Sequence, residues 1–388
     1  MSESENDIIA QRRAHLETLR EQGNAYPNDF RRDALAADLH SRYGDKSKEE
    51  LEQDQIRMCI AGRMMSRRVM GKASFAHLQD MSGQIQLYVK RDELPEGLYT
   101  DFKKWDVGDI VGAKGMLMKT NKGELSIQVD VVCLLSKSLR PLPEKFHGLT
   151  DQEARYRQRY LDLISNEETR RIFMIRSTVI DFIRQYLKDA GFIEVETPMM
   201  HAIPGGAAAR PFTTHHNSLD MDLYLRIAPE LFLKRLVVGG IEKVFEINRS
   251  FRNEGLSTQH NPEFTMLEFY QAFADFQDLM DLTEDLLRSL VQKINGTTQI
   301  QYQGETYDLK RAFKRMTVHE SILHFNSDMK EEDLASLEKL KEKADRLGIS
   351  IEDSYGQGKI TIEIFEKTVE SKLTDPTFIT HYPTEVSP

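Results

Sequence analysis

Residues 244–270, VFEINRSFRNEGLSTQHNPEFTMLEFY, place charged and aromatic side chains at every second position of two short runs. Side chains of a strand alternate between two faces. In the first run Phe245, Ile247 and Phe251 therefore share one face, and Glu246, Asn248, Ser250 and Arg252 the other. In the second, Phe264, Met266, Glu268 and Tyr270 share a face, with Glu263 and Phe269 on the opposite one as structural residues. If the polar loop folds the runs into a hairpin, a guanidinium, two carboxylates, an aromatic ring and a phenol converge on one sheet surface. A polyphosphate, a flat base and a cationic substrate could be held there together. A merely solvated hairpin face explains this order poorly, because such faces favour Thr, Lys and Glu without a pattern.

The elements that position this surface can be read along the chain. Residues 7–22 are predicted to form an amphipathic helix carrying Arg12, Arg13 and Arg20, either touching the phosphates of a polyanion or as a solvated face, and ending near Gly23; residues 24–55 are polar and mixed. From Ile56 to about Leu135, five short apolar runs are separated by turns such as Ser82-Gly83 and Asn121-Lys122-Gly123. That pattern suits a small closed barrel, with an OB-fold as the natural candidate and a small sandwich as the alternative. RPLPEKFHG (140–148) reads as a linker, and a second domain should begin near Thr150. There, helices are expected over 167–190, 230–238 and 271–294, a strand at FIEVETP, and two charged helices within 328–373 as an inserted element. The expected division is thus 1–55 as a helical extension, 56–148 as the barrel and 149–388 as the domain bearing the hairpin.

The net charge of −10 argues against indiscriminate nucleic-acid binding, yet residues 56–140 hold fourteen Lys or Arg against nine Asp or Glu. A basic module on an acidic body can attract a polyanion to one place. No run approaches the ~18 apolar residues of a membrane span, and MSESEND is no signal peptide. Cys59 and Cys133 both fall in strand-like runs and read as small core residues of a reducing compartment, so a cytoplasmic protein is expected.

FRNEGLSTQHNPEFTMLEFY resembles motif 2 of class II aminoacyl-tRNA synthetases, in the form found in lysyl-tRNA synthetases. ARPFTTHHNSLDMDLYLRIAPELFLKRLVVGG (209–240) resembles the segment before that motif, GFIEVETPMM (191–200) resembles motif 1 with its proline at Pro198, and ARYRQRYLDLI (154–164) the opening of the catalytic domain. The resemblance implies an α+β protein: an OB-fold barrel reading the anticodon, then an antiparallel-sheet catalytic domain. It implies ATP-dependent activation of L-lysine with Mg²⁺, transfer to the 3′ end of tRNA(Lys), and a homodimer formed through motif 1. With no G-x-x-x-x-G-K-[ST] loop and no class I HIGH or KMSKS signature, a hairpin arginine must grip the α-phosphate, and the resemblance implies that it is Arg252, whose planar fork can hold two oxygens. Phe264 would stack on adenine, with Glu254, His260 and Asn261 around the nucleotide. Glu230 would receive the lysine α-amino group, Glu268 and Tyr270 the ε-ammonium, and Gly206 would let backbone approach the substrate. On the barrel, Arg67, Phe75, Gln86 and Glu124 match positions that stack on and hydrogen-bond a uridine-rich anticodon.

The chain departs from the family at its end. Nothing of the form G-x-G-x-D-R, the glycine-rich motif 3 with its second ATP-binding arginine, occurs, and THYPTEVSP resembles the middle of the catalytic domain. A chain truncated before motif 3 is expected, with the family's Mg²⁺ ligands beyond residue 388 and no metal ligand before it. Losing one charge-stabilising donor costs ~10²–10³ in rate, so a non-catalytic tRNA-binding fragment is the competing expectation. A paralogue that lysylates protein would lack the barrel. An aspartyl or asparaginyl synthetase would place arginine, not Glu230 and Glu268, at the pocket base.

Overall fold

Apolar and polar residues alternate between residues 57 and 136, and this stretch folds as strands that bury one row of side chains. The computed structural model describes residues 3–143, 151–257 and 259–387, with side chains from residue 6; the boundary expected at 148/149, and the linker from residue 144, lie outside them. β1 (Arg57–Met70), β2 (Ala73–Gln79), β3 (Gln84–Lys90), β4 (Ile110–Lys119) and β5 (Leu125–Ser136) close into a barrel in the order β1-β2-β3-β5-β4. Closure excludes the sandwich. Met64, Ala76, Leu87, Val111, Ile127 and Val129 fill the interior at 0% exposure, each of the larger ones worth ~1.5–3 kcal/mol of burial. Where β4 bulges against β5, a Cβ at Gly115 would stand 1.9 Å from the Gln128 carbonyl oxygen, so only glycine fits. Cys59 and Cys133 are free thiols.

The residues before the barrel are more closely tied to it than a separate extension would be. α1 spans Glu3–Gln22, α2 Ala36–Tyr43 and α3 Lys48–Asp54. Ala36, Leu39 and Leu51 belong to the same hydrophobic cluster as the barrel interior. The Asp80 carboxylate and the Ser82 hydroxyl accept from the N–H groups of Ala36 and Ala37 at 2.8 and 2.9 Å, satisfying the first turn of α2. Arg12 is neither solvated nor open to phosphate: it is 8% exposed and donates to the carbonyls of Ser138 and Arg140. α4 (Leu98–Phe102) lies between β3 and β4 in sequence and buries Tyr99 and Phe102 in the barrel core. Together with α5 (Gln152–Arg157) and α6 (Arg159–Ser165), this region forms a unit ending at Arg170, beyond the boundary expected from composition.

The second unit, Arg171–Pro388, holds most of α7 (Glu167–Asp189), followed by β6 (Ile193–Glu194), β7 (Met200–His201), β8 (Thr213–His216), β9 (Met221–Leu225) and α8 (Glu230–Val238). β10 (Lys243–Phe251) and β11 (Glu263–Gln271) form the antiparallel hairpin, and β6 adds to β10 in parallel. One face of the hairpin, with Phe245, Ile247, Leu267 and Phe269, packs on Leu187 and Phe192 and on Leu282 of α9 (Phe276–Asn295). α9 starts later than its periodicity suggests because β11 continues to Gln271 and Asp275 then caps the helix, accepting from the N–H groups of Gln277 and Asp278. After the β12–β13 hairpin (Gln299–Tyr302, Glu305–Asp308) come β14 (Lys314–Thr317), α10 (Val318–Phe325), α11 (Glu331–Leu334), α12 (Leu337–Arg346), α13 (Gln357–Thr368) and β15 (Thr377–Thr380). The two charged helices expected within 328–373 are α12 and α13. Val318, Ile322, Leu340, Ile360, Ile364 and Val369 share one core, and β14 pairs with β15 on either side of it.

At the centre of the second unit, Arg226 and Glu246 are each 1% exposed and meet at 2.7 Å. Arg226 also donates through Nε to the Arg249 carbonyl at 2.7 Å, and Glu246 accepts from the Thr197 hydroxyl at 2.7 Å and its N–H at 3.2 Å. Truncating one partner of a buried pair strands the other charge, at a cost of ~3–5 kcal/mol. Glu246→Ala should therefore lower unfolding stability by about that amount in urea titrations. Glu263→Ala, at an exposed pair with Arg249, should change it little. Equal effects of the two would show that the buried pair holds nothing together.

Candidate functional site

The hairpin register sets Glu246 opposite Glu268, Asn248 opposite Met266 and Ser250 opposite Phe264, so the polar residues of both strands share one face as their alternation requires. Glu246 leaves that surface chemically, because Arg226 and Thr197 saturate its carboxylate; of the two carboxylates expected there, only Glu268 remains available. Phe269 is in the core and Glu263 is exposed, as structural residues should be.

At the loop end of the hairpin, Arg252 follows the last residue of β10 and donates its N–H to the Pro262 carbonyl at 2.9 Å. Its guanidinium carbon stands 5.2 Å from the centre of the Phe264 ring. Among the described residues, Arg252 Nε and Ser250 Oγ are buried without a hydrogen-bond partner. Buried polar atoms are nearly always paired; Arg12 Nε and His201 Nδ1 share this exception, so it does not by itself mark a ligand site. Glu254 Oε1 accepts from the Arg210 N–H at 3.4 Å, and the Arg210 carbonyl accepts from Asn253 at 2.7 Å, drawing the 209–212 segment beside the loop. His260 is exposed and bonded to Ser257 within the loop, and Asn261 is exposed; the structure does not gather these two against Arg252 and Phe264.

Four residues further along β11, ~13 Å at the rise of a strand, the face becomes acidic. The Tyr270 hydroxyl donates to Glu268 Oε1 at 2.7 Å. Glu230 opens α8, and Gly206 approaches it so closely, at φ +89°, that a Cβ on Gly206 would lie 2.9 Å from the Glu230 Cβ. The glycine thus brings the PGG loop onto the start of α8. Burial pushes the Glu268 carboxyl above its ordinary range; the Tyr270 hydrogen bond opposes this, and the charges of Glu230 and Glu246 add to it. The Tyr270 phenol is likewise raised, by burial and then by Glu268. A cation would favour the charged form of a carboxyl raised in this way. Lys234, one helical turn after Glu230, already bonds Glu230 at 2.5 Å and lies 5.8 Å from the Tyr270 ring centre. Its i,i+4 spacing from Glu230 was legible in the sequence, but its place beside β11 was not. Among the described residues no group of three or more His, Cys, Asp or Glu is arranged to hold a metal ion.

In the first unit, Arg67, Phe75, Gln86 and Glu124 all line one cleft of about 610 Å³. Phe75 is not core: its neighbours Ser74 and Ala76 are buried, while Phe75 stacks outside on Tyr88 at 4.9 Å and 23°. Arg67 turns partly inward and gives Nη1 to the Phe102 and Trp105 carbonyls. The exposed guanidinium opposite Phe75 on the strand ladder belongs to Arg68. Sequence reasoning missed Arg68 because a bulge between Met64 and Ser66 shifts the register of β1, whereas His77 and Tyr88, two residues from Phe75 and Gln86 on their own strands, follow from alternation alone.

Glu268 supplies a pH signature. A carboxyl whose folded-state pKa is raised adds stability that is full below its unfolded value and is lost as pH rises through the folded value. Glu268→Gln should therefore stabilise the ligand-free protein at neutral pH, with the advantage opening only above the ordinary value of 4.5. Thermal unfolding midpoints from about pH 4 to about pH 7 check this; a difference independent of pH would assign the effect to altered contacts instead of charge.

Comparison with known proteins agrees with both units. The family of class II tRNA synthetases (D, K and N) matches residues 151–388, and the OB-fold nucleic acid binding domain matches residues 58–135. A lysine–tRNA ligase of Thioalkalivibrio sulfidiphilus is 65% identical over 386 residues, 100% of this chain and 77% of that protein. The lysine–tRNA ligase of Idiomarina loihiensis is 64% identical over 99% of this chain and 76% of its own length, and that of Coxiella burnetii 60% identical over 99% and 77%. With an OB-fold barrel, a motif 2 hairpin and relatives of this similarity along its whole length, the chain belongs to the class II tRNA synthetases.

Proposed function

We propose that the protein is a lysine–tRNA ligase, which activates L-lysine with ATP and transfers the lysyl group to the 3′ end of tRNA(Lys). The observation that carries this reading is the acidic pocket of Glu230, Glu268 and Tyr270 on the same hairpin face as Arg252 and Phe264. Glu268 and Tyr270 receive the ε-ammonium and Glu230 the α-amino group. A shorter or uncharged amino acid leaves a half-buried carboxylate unpaired, and aspartate or asparagine cannot neutralise it. Adenine stacks on Phe264, and Arg252 holds the α-phosphate. The lysine carboxylate oxygen attacks that phosphorus as the bond to the β-phosphate oxygen breaks, releasing pyrophosphate. Arg252 offsets the charge that builds up on the phosphoryl oxygens, so its contribution is electrostatic and positional. Glu254 borders the nucleotide from the loop, and His260 and Asn261 would join it only if the exposed loop moved toward Arg252 and Phe264. Mg²⁺ is a family expectation for ATP binding, and no step described here runs through it.

The barrel cleft reads the anticodon, with Phe75 stacking on a base and Arg67, Gln86 and Glu124 offering polar edges. Ile172, Phe173 and Met174 of α7 are 54%, 49% and 55% exposed in succession; this apolar stretch supports a homodimer formed through motif 1. No helix among the described residues is long and apolar enough to cross a membrane, and the two free thiols fit a cytoplasmic setting.

Amino-acid-dependent ATP–pyrophosphate exchange should respond to lysine and not to aspartate or asparagine. Silence with all three would favour a tRNA-binding protein without catalysis. Arg252→Ala should reduce lysine-dependent exchange by ~10²-fold or more; near-normal exchange would remove the phosphate role. Phe75→Ala should weaken tRNA charging with lysine activation intact, and parallel loss in both assays would return Phe75 to a structural role.

A further inference from the structure

A continuous row of hydrogen bonds crosses the outer face of the barrel. Ser66 Oγ lies 2.8 Å from His77 Nδ1, and His77 Nε2 lies 2.9 Å from Glu124 Oε1. Gln86 Nε2 donates to Glu124 Oε2 at 2.8 Å, and the Ser126 hydroxyl donates to Gln86 Oε1 at 2.8 Å. The ladder explains the row: Ser66 pairs with His77, His77 with Gln86, and Gln86 with Ser126 across β1, β2, β3 and β5. Side chains directly opposite on one face are close enough to bond in sequence.

The chemistry of the groups gives the row one direction. A carboxylate only accepts, so His77 donates from Nε2; in the neutral imidazole Nδ1 then accepts from the Ser66 hydroxyl. Glu124 is thereby gripped on both oxygens, by His77 on one and Gln86 on the other. Each oxygen keeps a spare acceptor site, and Gln86 keeps a second N–H, with both side chains lining the cleft. An acceptor beside a donor matches the adjacent N–H and C=O of a uracil edge. Glu124 is otherwise a turn residue whose side chain is 47% exposed, and such a side chain would be spread over several rotamers when RNA arrives.

We propose that His77 is a positioning residue of the RNA-reading cleft. It holds the Glu124 carboxylate, and through it the Gln86 amide, in the arrangement that meets the adjacent N–H and C=O of a uracil edge. This rests on the reading that the barrel binds an anticodon loop.

The test is binding of the full chain to two synthetic RNA hairpins, one with a uridine run in its loop and one with N3-methyluridines, which lack that N–H, in the same places. His77→Ala should weaken the uridine hairpin ~10-fold, the scale of one charge-assisted hydrogen bond, and leave the N3-methyluridine hairpin unchanged. The double variant His77→Ala/Glu124→Ala should bind no worse than Glu124→Ala alone. His77→Gln, whose amide N–H can take the place of Nε2–H, should retain most of the affinity. It also keeps the proposal open to refutation if the alanine variant unfolds. Unchanged uridine binding in His77→Ala, equal loss for both hairpins, or additive losses in the double variant would overturn the positioning role. If the unaltered protein binds neither hairpin, the anticodon reading of the barrel fails first, and the role of His77 with it.

Discussion

Arg226 and Glu246 form the constraint around which the second unit is arranged. A guanidinium and a carboxylate that are both almost fully buried survive only if every strong hydrogen-bonding group on them is used. Their partners come from two stretches of chain: Thr197 and Met199 on either side of the motif 1 proline, and Arg249 and Phe251 on β10, with the backbone of Met199 and Phe251 bonding that of Arg226. The pair thereby fixes where β10 runs relative to the segment leading to Pro229 and Glu230. Glu230 and Glu268 reach one pocket because the elements that carry them are tied to the same buried charges.

The pocket beside it is built on the opposite principle. Glu246 is satisfied and inert, whereas Glu268 is half-buried, bonded to one phenol and raised by neighbouring carboxylates. Two glutamates side by side in the β10–β11 ladder therefore do different work, one structural and one available to a ligand. Lys234 partly offsets the acidic charge through Glu230, which lets the site exist without substrate. Local strain of this kind is tolerated where the surrounding sheet is held rigidly by other contacts.

The barrel shows how a small fold separates stability from recognition. Its interior row is apolar and fully buried, and its exterior row carries Arg68, Phe75, Tyr88, His77 and Gln86. The helices before it contribute Leu39 and Leu51 to the same interior, which composition could not reveal because residues 24–55 are polar on average. Two apolar side chains among many charged ones carry little periodic signal, yet each is almost fully buried.

Much was legible in the sequence alone. Strand alternation determined that Phe264, Glu268 and Tyr270 share a face, since a period of two leaves no other choice once the strands exist. The glycine turns determined five barrel strands, and the motif 2 pattern determined the family. What only tertiary structure decided depends on partners distant in sequence. Glu246 could not be known as sealed until Arg226, twenty residues earlier, was seen against it. His260 and Asn261, grouped with Arg252 by order along the chain, lie on an exposed loop whose conformation that order does not specify. A single bulge in β1 placed Arg68, not Arg67, opposite Phe75. Face and periodicity are properties of a strand; burial, charge pairing and register belong to the strands and helices that meet it.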